Sequence, residues 1–424
     1  MGIEVAIVGG LIAMAIVATR FFKGVSFTAW VLVGVGMAFC YPDAFQAWWG
    51  MPLSLLIVPL IQLIMFGMGT TLSLGDFLRI FREPWPVLLG IVLQYGVMPI
   101  TGYLLVVAFG FRGELAAGII LTGACSGGVA SNLMSYIGRG NVALSVTMTA
   151  LSTLIAPIMT PLAMTTFAGQ YINVDALAML MGVVKIIIAP VLAGIVANAI
   201  LYSRQAWLQR SVALLSFAAA FSILGTVTLL LPSQYEGIKQ CLALSLFLIA
   251  VMSLAKMIML TRGRKDNQWL DRALPLLSMF GICAILTIIT AQTYDVLIQV
   301  GGLLFVAAAL HNAIGLALGY WGAKFVGKLT GLAGFRLGIF ASPNSRLSEA
   351  DCRTVAFEVG LQNTGMATGL AINVLKSHLA ALPPNVFGTW MNISGSLLAN
   401  YWGRSVEPSQ DGVEEIEVGQ EPLS

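Results

Sequence analysis

Apolar residues along this chain occur in long runs separated by short polar or charged segments. A bilayer core of about 30 Å is crossed by roughly 20 helical residues, and most of the runs are close to that length. They lack the alternating apolar and polar positions, in segments of about ten residues, that strands of a membrane barrel show. The pattern predicts about 13 transmembrane helices, at approximately 4–19, 25–41, 51–70, 84–109, 114–137, 142–166, 174–202, 212–231, 240–260, 271–291, 297–323, 353–380 and 384–402.

The composition supports a membrane protein and excludes several other classes. Of 424 residues, 58% are hydrophobic and 10% are charged, whereas a soluble domain carries about 25% charged residues. No basic cluster with interleaved aromatic residues suggests nucleic acid as a partner. Five scattered cysteines without a CxxC motif and two histidines argue against a redox enzyme or a metalloenzyme. The sequence therefore predicts an all-α polytopic membrane protein that is not an enzyme.

Basic residues are distributed unevenly between the two sets of loops. Seventeen of the 22 Lys and Arg residues lie in alternate loops, and the opposite loops hold three, which are Arg112, Lys239 and Lys376. Cytoplasmic loops carry the excess of positive charge, so the pattern predicts an N-terminus outside and a C-terminus in the cytoplasm. The first apolar run is followed, not preceded, by Arg20 and Lys23, which is the reverse of a secretory signal. We therefore expect this run to be a retained helix.

Two other segments bear on organisation. Residues 208–216 (LQRSVALLS) are similar to residues 270–278 (LDRALPLLS), and each stretch opens a pair of predicted helices. Chance similarity between Leu-rich helix starts and a duplicated hairpin inserted into a parent fold both explain this. The residues after Arg404 are polar and acidic, and they predict a short disordered tail.

Glu358 lies inside an apolar run, unlike the acidic residues found in loops and at helix ends. A carboxylate within a membrane is costly unless it meets a cation, a partner or water, so a functional site is the first interpretation. The alternative is a helix-end acid hydrated from the cytoplasm, because Arg353 is five residues away. Gln362, Asn363 and Thr364 follow directly. Such a polar stretch favours a broken helix whose oxygens coordinate a hard cation such as Na⁺.

The first half of the chain contains a similar interruption at residues 122–132 (TGACSGGVASN). Adjacent glycines permit backbone angles that interrupt a helix, and Ser131 and Asn132 supply oxygens there. Packing of small residues between helices is the alternative. One glycine-interrupted segment in each half is typical of an inverted-repeat transporter. Ser145 and Thr149, four residues apart on the next helix, lie on one face and could point towards Asn132.

Four motifs resemble those of the bile acid:sodium symporter family, in particular its bacterial-type sodium-dependent organic anion transporters. They are Asn132 followed by residues 139–146 (RGNVALSV), residues 358–363 (EVGLQN), the pair at 311–312 (HN), and residues 392–402 (NISGSLLANYW). The similarity covers most of residues 25–202 and 270–402. The stretch that begins at Glu358 is its most distinctive part.

The resemblance implies an inverted-repeat fold with core and panel domains and two crossing broken helices. Under it, residues 1–24 form an extra N-terminal transmembrane helix, and residues 25–202 form the first repeat plus the first helix of the second. Residues 203–269 form an inserted transmembrane hairpin, residues 270–402 complete the second repeat, and residues 403–424 form the cytoplasmic tail. The chain departs from the family in the extra N-terminal helix, in the 203–269 hairpin and in an enlarged loop at 329–352. It also has Ser126 where the family often has proline.

The resemblance also implies two sodium sites that share Glu358. The first would use Ser131, Asn132, Ser145, Thr149 and Glu358; the second would use Gln94, Glu358, Gln362 and the carbonyls of Val359 and Leu361. Asn363 would face the substrate, and His311 and Asn312 are further candidates for substrate contacts. Taken alone, Gln94 and the His311–Asn312 pair are better explained as hydrogen-bonding groups between helices than as ligands. Lys185, in mid-span, either extends to the interface or pairs with an anion.

The function implied is sodium-coupled import of a small organic anion across a plasma membrane, such as a bacterial inner membrane. Pantoate, pyruvate and bile-acid-like carboxylates all suit an apolar crevice with a few amides, and sodium is the only ion required. A proton-coupled or exporting carrier and a non-transporting membrane sensor are the alternatives. Hydroxyl and amide oxygens around Glu358 favour Na⁺, because a proton would need little beyond the carboxylate.

Overall fold

The computed structural model describes residues 2–21, 23–73, 75–76, 84–203, 205, 207–208, 210–232, 236–262, 268–332 and 347–404. The predicted disordered tail, apart from the last two residues of the final helix, lies outside the described residues. So does most of the predicted enlarged loop at 329–352.

The described chain is almost wholly helical. Short 3₁₀ turns at Pro42–Phe45 and Leu53–Leu56 flank a two-stranded hairpin of β1 (Ala47–Trp48) and β2 (Met51–Pro52). The helices are α1 (Gly2–Phe21), α2 (Lys23–Cys40), α3 (Ile57–Gly69), α4 (Pro84–Phe109), α5 (Gly113–Ala124), α6 (Ala130–Ile137), α7 (Val142–Ala168), α8 (Ala176–Tyr202), α9 (Ser211–Leu229), α10 (Glu236–Thr261), α11 (Gln268–Gln292), α12 (Tyr294–Leu332), α13 (Glu349–Gly360), α14 (Thr364–Asn373) and α15 (His378–Arg404).

Seven helices within the described ranges are long and apolar enough to cross a membrane. This confirms a polytopic helical membrane protein, and the count of 13 spans stays a prediction. Three of the long helices, α4, α7 and α8, each contain one π turn. In α4 and α8 the turn precedes a proline, Pro99 or Pro190. Proline lacks an N–H and clashes with the carbonyl four residues earlier, and a π turn accommodates it without ending the helix.

Helices break where the sequence predicts breaks, at Cys125–Val129 and at Leu361–Asn363. The predicted boundary between spans at 381–383 is wrong, because α15 begins at His378 and contains Pro383 and Pro384. The turn comes earlier, at 374–377, where Lys376 has a φ of 54°. Ser377 then caps α15, since its Oγ accepts a hydrogen bond of 2.8 Å from the N–H of Ala380.

Helix packing separates two neighbourhoods. In one, α3 packs against α8 and α11, α2 packs against α1 and α11, and the pair α9–α10 lies against α8. In the other, α5 packs against α4 and α15, α12 packs against α13 and α15, and α14 packs against α15. The two neighbourhoods meet where α7 contacts α8, where α15 contacts α2 and α11, and where α14 contacts α3. The division of the chain into repeats and an inserted hairpin stays a prediction.

Candidate functional site

Glu358 is enclosed by hydroxyl groups from the first half of the chain. It is 3% exposed and is the one buried carboxylate among the described residues. Its carboxylate accepts hydrogen bonds from Ser131 Oγ, from Ser145 Oγ at 2.5 Å, and from Thr149 Oγ1 at 2.9 Å to each oxygen. Helices α6, α7 and α13 thus bring the predicted partners of Glu358 together. The acid is not hydrated at a helix end, as the alternative interpretation would require.

Asn132 completes this cluster through its side-chain oxygen. Its Oδ1 lies 2.8 Å from Ser145 Oγ and 3.4 Å from Thr149 Oγ1. Ser145 and Thr149 reach both Asn132 and Glu358 because residues four apart project from one face of α7. All five residues of the first predicted sodium site therefore lie in one cluster, which we call the Glu358 cluster.

The Glu358 cluster contains more acceptor positions than protons. Each hydroxyl carries one proton, yet Ser145 Oγ lies against both Asn132 Oδ1 and Glu358 Oε1. Ser131 Oγ likewise lies against Glu358 and the carbonyl of Gly128, at 2.7 Å from the latter. Oxygen pairs without a shared proton repel each other, and a cation between them removes that repulsion. A single carboxylate with neutral hydroxyl and amide oxygens suits a hard monovalent cation, because calcium sites usually supply several carboxylates.

The two helix breaks meet as a short antiparallel backbone bridge. The N–H of Gly128 donates to the carbonyl of Leu361 at 2.7 Å, and the N–H of Asn363 donates to the carbonyl of Ser126 at 2.9 Å. These bonds satisfy backbone groups that the broken helices leave unpaired. A Cβ on Gly127 would lie 2.7 Å from Glu358 Oε2, and one on Gly128 would lie 2.7 Å from the carbonyl oxygen of Gln362. Only glycine permits this close approach.

The second predicted sodium site is assembled in part. Gln94, in the π turn of α4, donates from Nε2 to Gln362 Oε1 and, at 2.7 Å, to the carbonyl of Cys125. Gln362 Nε2 donates to the carbonyl of Val359 at 2.6 Å. The carbonyl of Leu361 instead accepts the bond from Gly128. These side-chain amides bond to each other and to carbonyls, so a cation here would require them to turn their oxygens inwards.

A narrow cleft of about 60 Å³ adjoins the backbone bridge. Asn363 lines it and caps α14, since its Oδ1 accepts from the N–H of Met366 at 3.0 Å. The first turns of α6 and α14 face the cleft from one neighbourhood of helices, and α3 and α11 face it from the other. The lining residues are Ile64, Met65, Gly128, Val129, Ala130, Ile282, Leu361, Gln362, Asn363, Thr364, Gly365, Gly388, Met391 and Asn392.

His311 and Asn312 do not line this cleft. His311 is fully buried, with its ring 5.3 Å from that of Phe387 and its Nε2 3.3 Å from the carbonyl of Met98. Asn312 donates to the carbonyl of Gly360 at 2.9 Å and accepts from Ser394 Oγ at 2.6 Å. These contacts are those of hydrogen-bonding groups between helices, and Asn312 supports the carboxyl end of α13. No contact with the cleft supports the prediction that they bind substrate.

Sequence reasoning missed several groups that border the site. Ser152 Oγ lies 3.3 Å from the N–H of Gly127, and Tyr95 donates to the carbonyl of Ser152 at 2.5 Å. Ser152 was detectable, because it continues the face of α7 that carries Ser145 and Thr149. The apolar walls Ile64, Met65 and Ile282 carried no signal, since they are ordinary membrane-helix residues in the sequence.

Comparison with known proteins identifies a family and several relatives. The family model described as "Sodium Bile acid symporter family" matches residues 58–241. The chain is 30% identical over 391 residues to "Uncharacterized sodium-dependent transporter YocS" of Bacillus subtilis (strain 168), covering 92% of this chain and 95% of the relative. It is also 30% identical over 380 residues to "Probable sodium/metabolite cotransporter BASS1, chloroplastic" of Arabidopsis thaliana, covering 90% and 74% of the two chains.

A more distant relative is the "Ileal sodium/bile acid cotransporter" of Homo sapiens, 26% identical over 316 residues, which cover 74% of this chain and 68% of the relative. All three relatives are named as transporters, which confirms the prediction that the chain is not an enzyme. The YocS relative, matched over nearly the full length of both chains, establishes the family. The chain belongs to the sodium bile acid symporter family.

Proposed function

We propose that the protein is a sodium-coupled symporter that imports a small organic anion. The observation that carries the proposal is the Glu358 cluster, in which a buried carboxylate contacts three hydroxyl groups where two broken helices meet, and two of those hydroxyls also lie against an amide oxygen. A negative charge enclosed in a membrane protein requires a compensating cation or proton. The surplus of neutral oxygen ligands supports Na⁺ in that role, and the names of the relatives agree with it.

The substrate is proposed to bind in the cleft lined by Asn363. Helix N-termini favour anions because their N–H groups and dipoles point outwards, and the first turns of α6 and α14 both face the cleft. None of the described residues lining the cleft is lysine or arginine. The walls from α3 and α11 are aliphatic. A small monocarboxylate with an apolar body, such as pantoate, pyruvate or a bile-acid-like molecule, suits these groups.

Coupling follows from the shared backbone bridge. Sodium in the Glu358 cluster would stabilise α6 and α13, whose adjoining breaks also border the cleft. Each solute then stabilises the arrangement that the other requires, and this is thermodynamic coupling. Small-molecule sites usually enclose about 300–1,000 Å³, so the cleft of about 60 Å³ has to widen to admit substrate. A relative movement of the two helix neighbourhoods, as in alternating access, would provide this.

The N-terminus is proposed to lie outside a bacterial inner membrane and the C-terminus inside it, from the distribution of basic residues. A proton-coupled or exporting carrier is the main alternative. The second alternative is a membrane sensor that does not transport solute. The two are separated from the proposal by the identity of the driving ion and by whether solute crosses the membrane.

Thermal unfolding of the purified protein in NaCl, KCl and choline chloride tests sodium binding. A ligand specific for the folded state at 100 times its Kd stabilises that state by about 2.7 kcal/mol. We expect Na⁺ alone to raise the unfolding temperature. Proteoliposomes with an inward Na⁺ gradient are then expected to accumulate a labelled carboxylate. Uptake that follows a pH gradient and ignores Na⁺ would support the proton-coupled carrier, and Na⁺ binding without uptake of any carboxylate would favour the sensor.

Thr149→Val provides a graded test of the Glu358 cluster. The change keeps the side-chain shape but removes the hydroxyl that contacts both carboxylate oxygens. We expect Na⁺ affinity, measured from the concentration dependence of the unfolding temperature, to fall about tenfold, or ~1.4 kcal/mol. Thr147→Val is the matched control, because the Thr147 hydroxyl bonds to the carbonyls of Ala143 and Asp76 instead. Equal losses in the two variants would contradict the assignment.

A further inference from the structure

Asn141 stands at the start of α7 and links that helix to the first turn of α13. Its side-chain Oδ1 caps α7, because it accepts a hydrogen bond of 3.0 Å from the N–H of Leu144. Its Nδ2 donates to Asp351 Oδ1 at 2.9 Å. One amide group therefore holds the start of α7 against the start of α13.

Thr354 joins the same two helices through the backbone. The N–H of Asn141 donates to Thr354 Oγ1 at 2.8 Å, and this hydroxyl donates to the carbonyl of Ala350 at 2.9 Å. The side chain of Thr354 is fully buried. A Cβ on Gly140 would lie 2.7 Å from Thr354 Oγ1, so glycine permits the close approach. We call Asn141, Asp351 and Thr354 the Asn141 clasp.

The carboxylate of Asp351 is itself held in a fixed orientation. Its Oδ2 accepts hydrogen bonds from the N–H of Ser348 at 2.9 Å and from Ser348 Oγ at 2.8 Å. The N–H of Asp351 donates in return to Ser348 Oγ at 3.1 Å, which completes a capping box at the start of α13. The helix dipole also favours a carboxylate at this end. Asp351 Oδ1 is therefore a rigid acceptor for Asn141.

The Asn141 clasp lies one helical turn from the Glu358 cluster on both helices. Asn141 precedes Ser145 by four residues along the chain. Thr354 precedes Glu358 by the same number, which corresponds to about 6 Å along a helix axis. Ser145 Oγ contacts the Glu358 carboxylate at 2.5 Å, so the clasp and the cluster are two successive contacts between α7 and α13. Two contacts fix the rotation and the axial register of the helix pair, whereas one contact leaves it free to pivot.

We infer that Asn141 and Thr354 are positioning residues of the sodium site, because they set the register that holds the hydroxyl groups of α7 against Glu358. The inference rests on the proposed function, since it concerns the ion bound in the Glu358 cluster. Both residues act through Ser145 and Thr149, which supply the oxygens. Groups of a binding site have to be held within about 0.5 Å of their productive positions. A loosened clasp therefore weakens Na⁺ binding without removing any ligand.

Exchange of the two side chains of the clasp tests this inference. Asn141→Asp keeps an oxygen that caps α7 but sets a second carboxylate against Asp351. Asp351→Asn leaves a single side-chain oxygen to serve both Ser348 and Asn141. We expect each single variant to lower Na⁺ affinity, measured from the concentration dependence of the unfolding temperature, about tenfold, which is within the coupling of residues in one hydrogen-bond network. The double variant restores one amide and one carboxylate, so its Na⁺ affinity should return to that of the wild type.

Asn400→Asp is the matched control for these variants. It makes the same change where α15 ends beside α13, but the Nδ2 of Asn400 donates to the carbonyl of Ser396 on its own helix. Na⁺ affinity should be unchanged in this control. Thr354→Val and Thr354→Ser form a second pair, since valine keeps the shape without the hydroxyl and serine keeps the hydroxyl. We expect Thr354→Val to weaken Na⁺ binding by a factor similar to that in Asn141→Asp, and Thr354→Ser to preserve it.

The unfolding temperature in choline chloride separates a positioning role from a purely structural one. Clasp variants that unfold at a lower temperature there, yet bind Na⁺ with wild-type affinity, would overturn the inference. A folded double variant that binds Na⁺ as weakly as the single variants would also overturn it. A wild-type protein that does not respond to Na⁺ would contradict the proposed function itself, and the inference would fall with it.

Discussion

Glu358→Gln is expected to abolish both the Na⁺-dependent rise in unfolding temperature and Na⁺-driven uptake. Glutamine has nearly the same shape, so the helices around it can remain packed. The change removes the one buried carboxylate among the described residues, and with it the negative charge that balances a cation. Neutral oxygens alone bind a monovalent cation weakly in competition with water. Loss of the full stabilisation, about 2.7 kcal/mol at saturating Na⁺, is the expected size of the effect.

Glu349→Gln is the matched control, because it removes a carboxylate from the same helix without touching the cluster. Glu349 is exposed and lies 3.5 Å from both Lys324 and Arg353. The pair with Lys324 is a surface ion pair, which contributes about 0–1 kcal/mol. Arg353 is buried and keeps its hydrogen bonds to the carbonyls of Gly138 and Trp402, so Na⁺ stabilisation should persist in this variant. A Glu358→Gln protein that still responds to Na⁺ would show that the ion binds elsewhere. If neither Na⁺ nor K⁺ raises the unfolding temperature of the wild type, the assignment would shift towards proton coupling.

Gly128→Ala is expected to destabilise the fold and to eliminate the response to Na⁺. The added methyl group would lie 2.7 Å from the carbonyl oxygen of Gln362 and 3.0 Å from that of Leu361. Both are backbone atoms and cannot rotate away as a flexible side chain could. Overpacking of this kind costs about 1–3 kcal/mol, and separating the two breaks also lengthens the Gly128–Leu361 hydrogen bond. The Glu358 cluster then loses its alignment, because Ser131 and Glu358 flank that bond.

Thermal unfolding with and without Na⁺ measures both parts of this prediction. Gly322→Ala is the control, since it adds the same methyl group within α12 at an ordinary contact distance. Alanine is favoured over glycine within a helix by up to about 1 kcal/mol, so this control should be neutral or slightly stabilising. Wild-type Na⁺ stabilisation in Gly128→Ala would contradict the view that the close backbone crossing aligns the ligands.

Local information in the sequence was sufficient for the membrane helices and for the two breaks. Hydropathy and charge depend on neighbouring residues, and the adjacent glycines at 127–128 mark an interruption without tertiary knowledge. The shared face of Ser145 and Thr149 followed from helical spacing alone. In contrast, the misplaced start of α15 shows where local rules fail. The predicted boundary at 381–383 lies beside Pro383 and Pro384, but the turn at Lys376 and the cap at Ser377 begin the helix earlier.

The assembly of the site could not be worked out from spacing. Ser131 and Glu358 are separated by 227 positions, and only the family resemblance indicated that they meet. The direction in which buried side chains point was also hidden. The adjacent residues His311 and Asn312 carry polar groups typical of a binding site, yet their hydrogen bonds lie between helices. The walls of the cleft from α3 and α11 depend on tertiary packing and had no signature in the sequence.

The Glu358 cluster cannot form until the ribosome has synthesised the chain as far as Glu358. After Ser131 is made, 227 further residues must follow before its partner Glu358 exists, which takes on the order of 10–45 s at typical rates of synthesis. During that interval the first break lacks the backbone bridge that satisfies its polar groups, and such groups are costly in lipid. Water, neighbouring helices or the insertion machinery must shelter it. Substitutions that leave the first break less protected during this interval would lower the yield of mature protein. The ion affinity of the finished molecules would be unchanged.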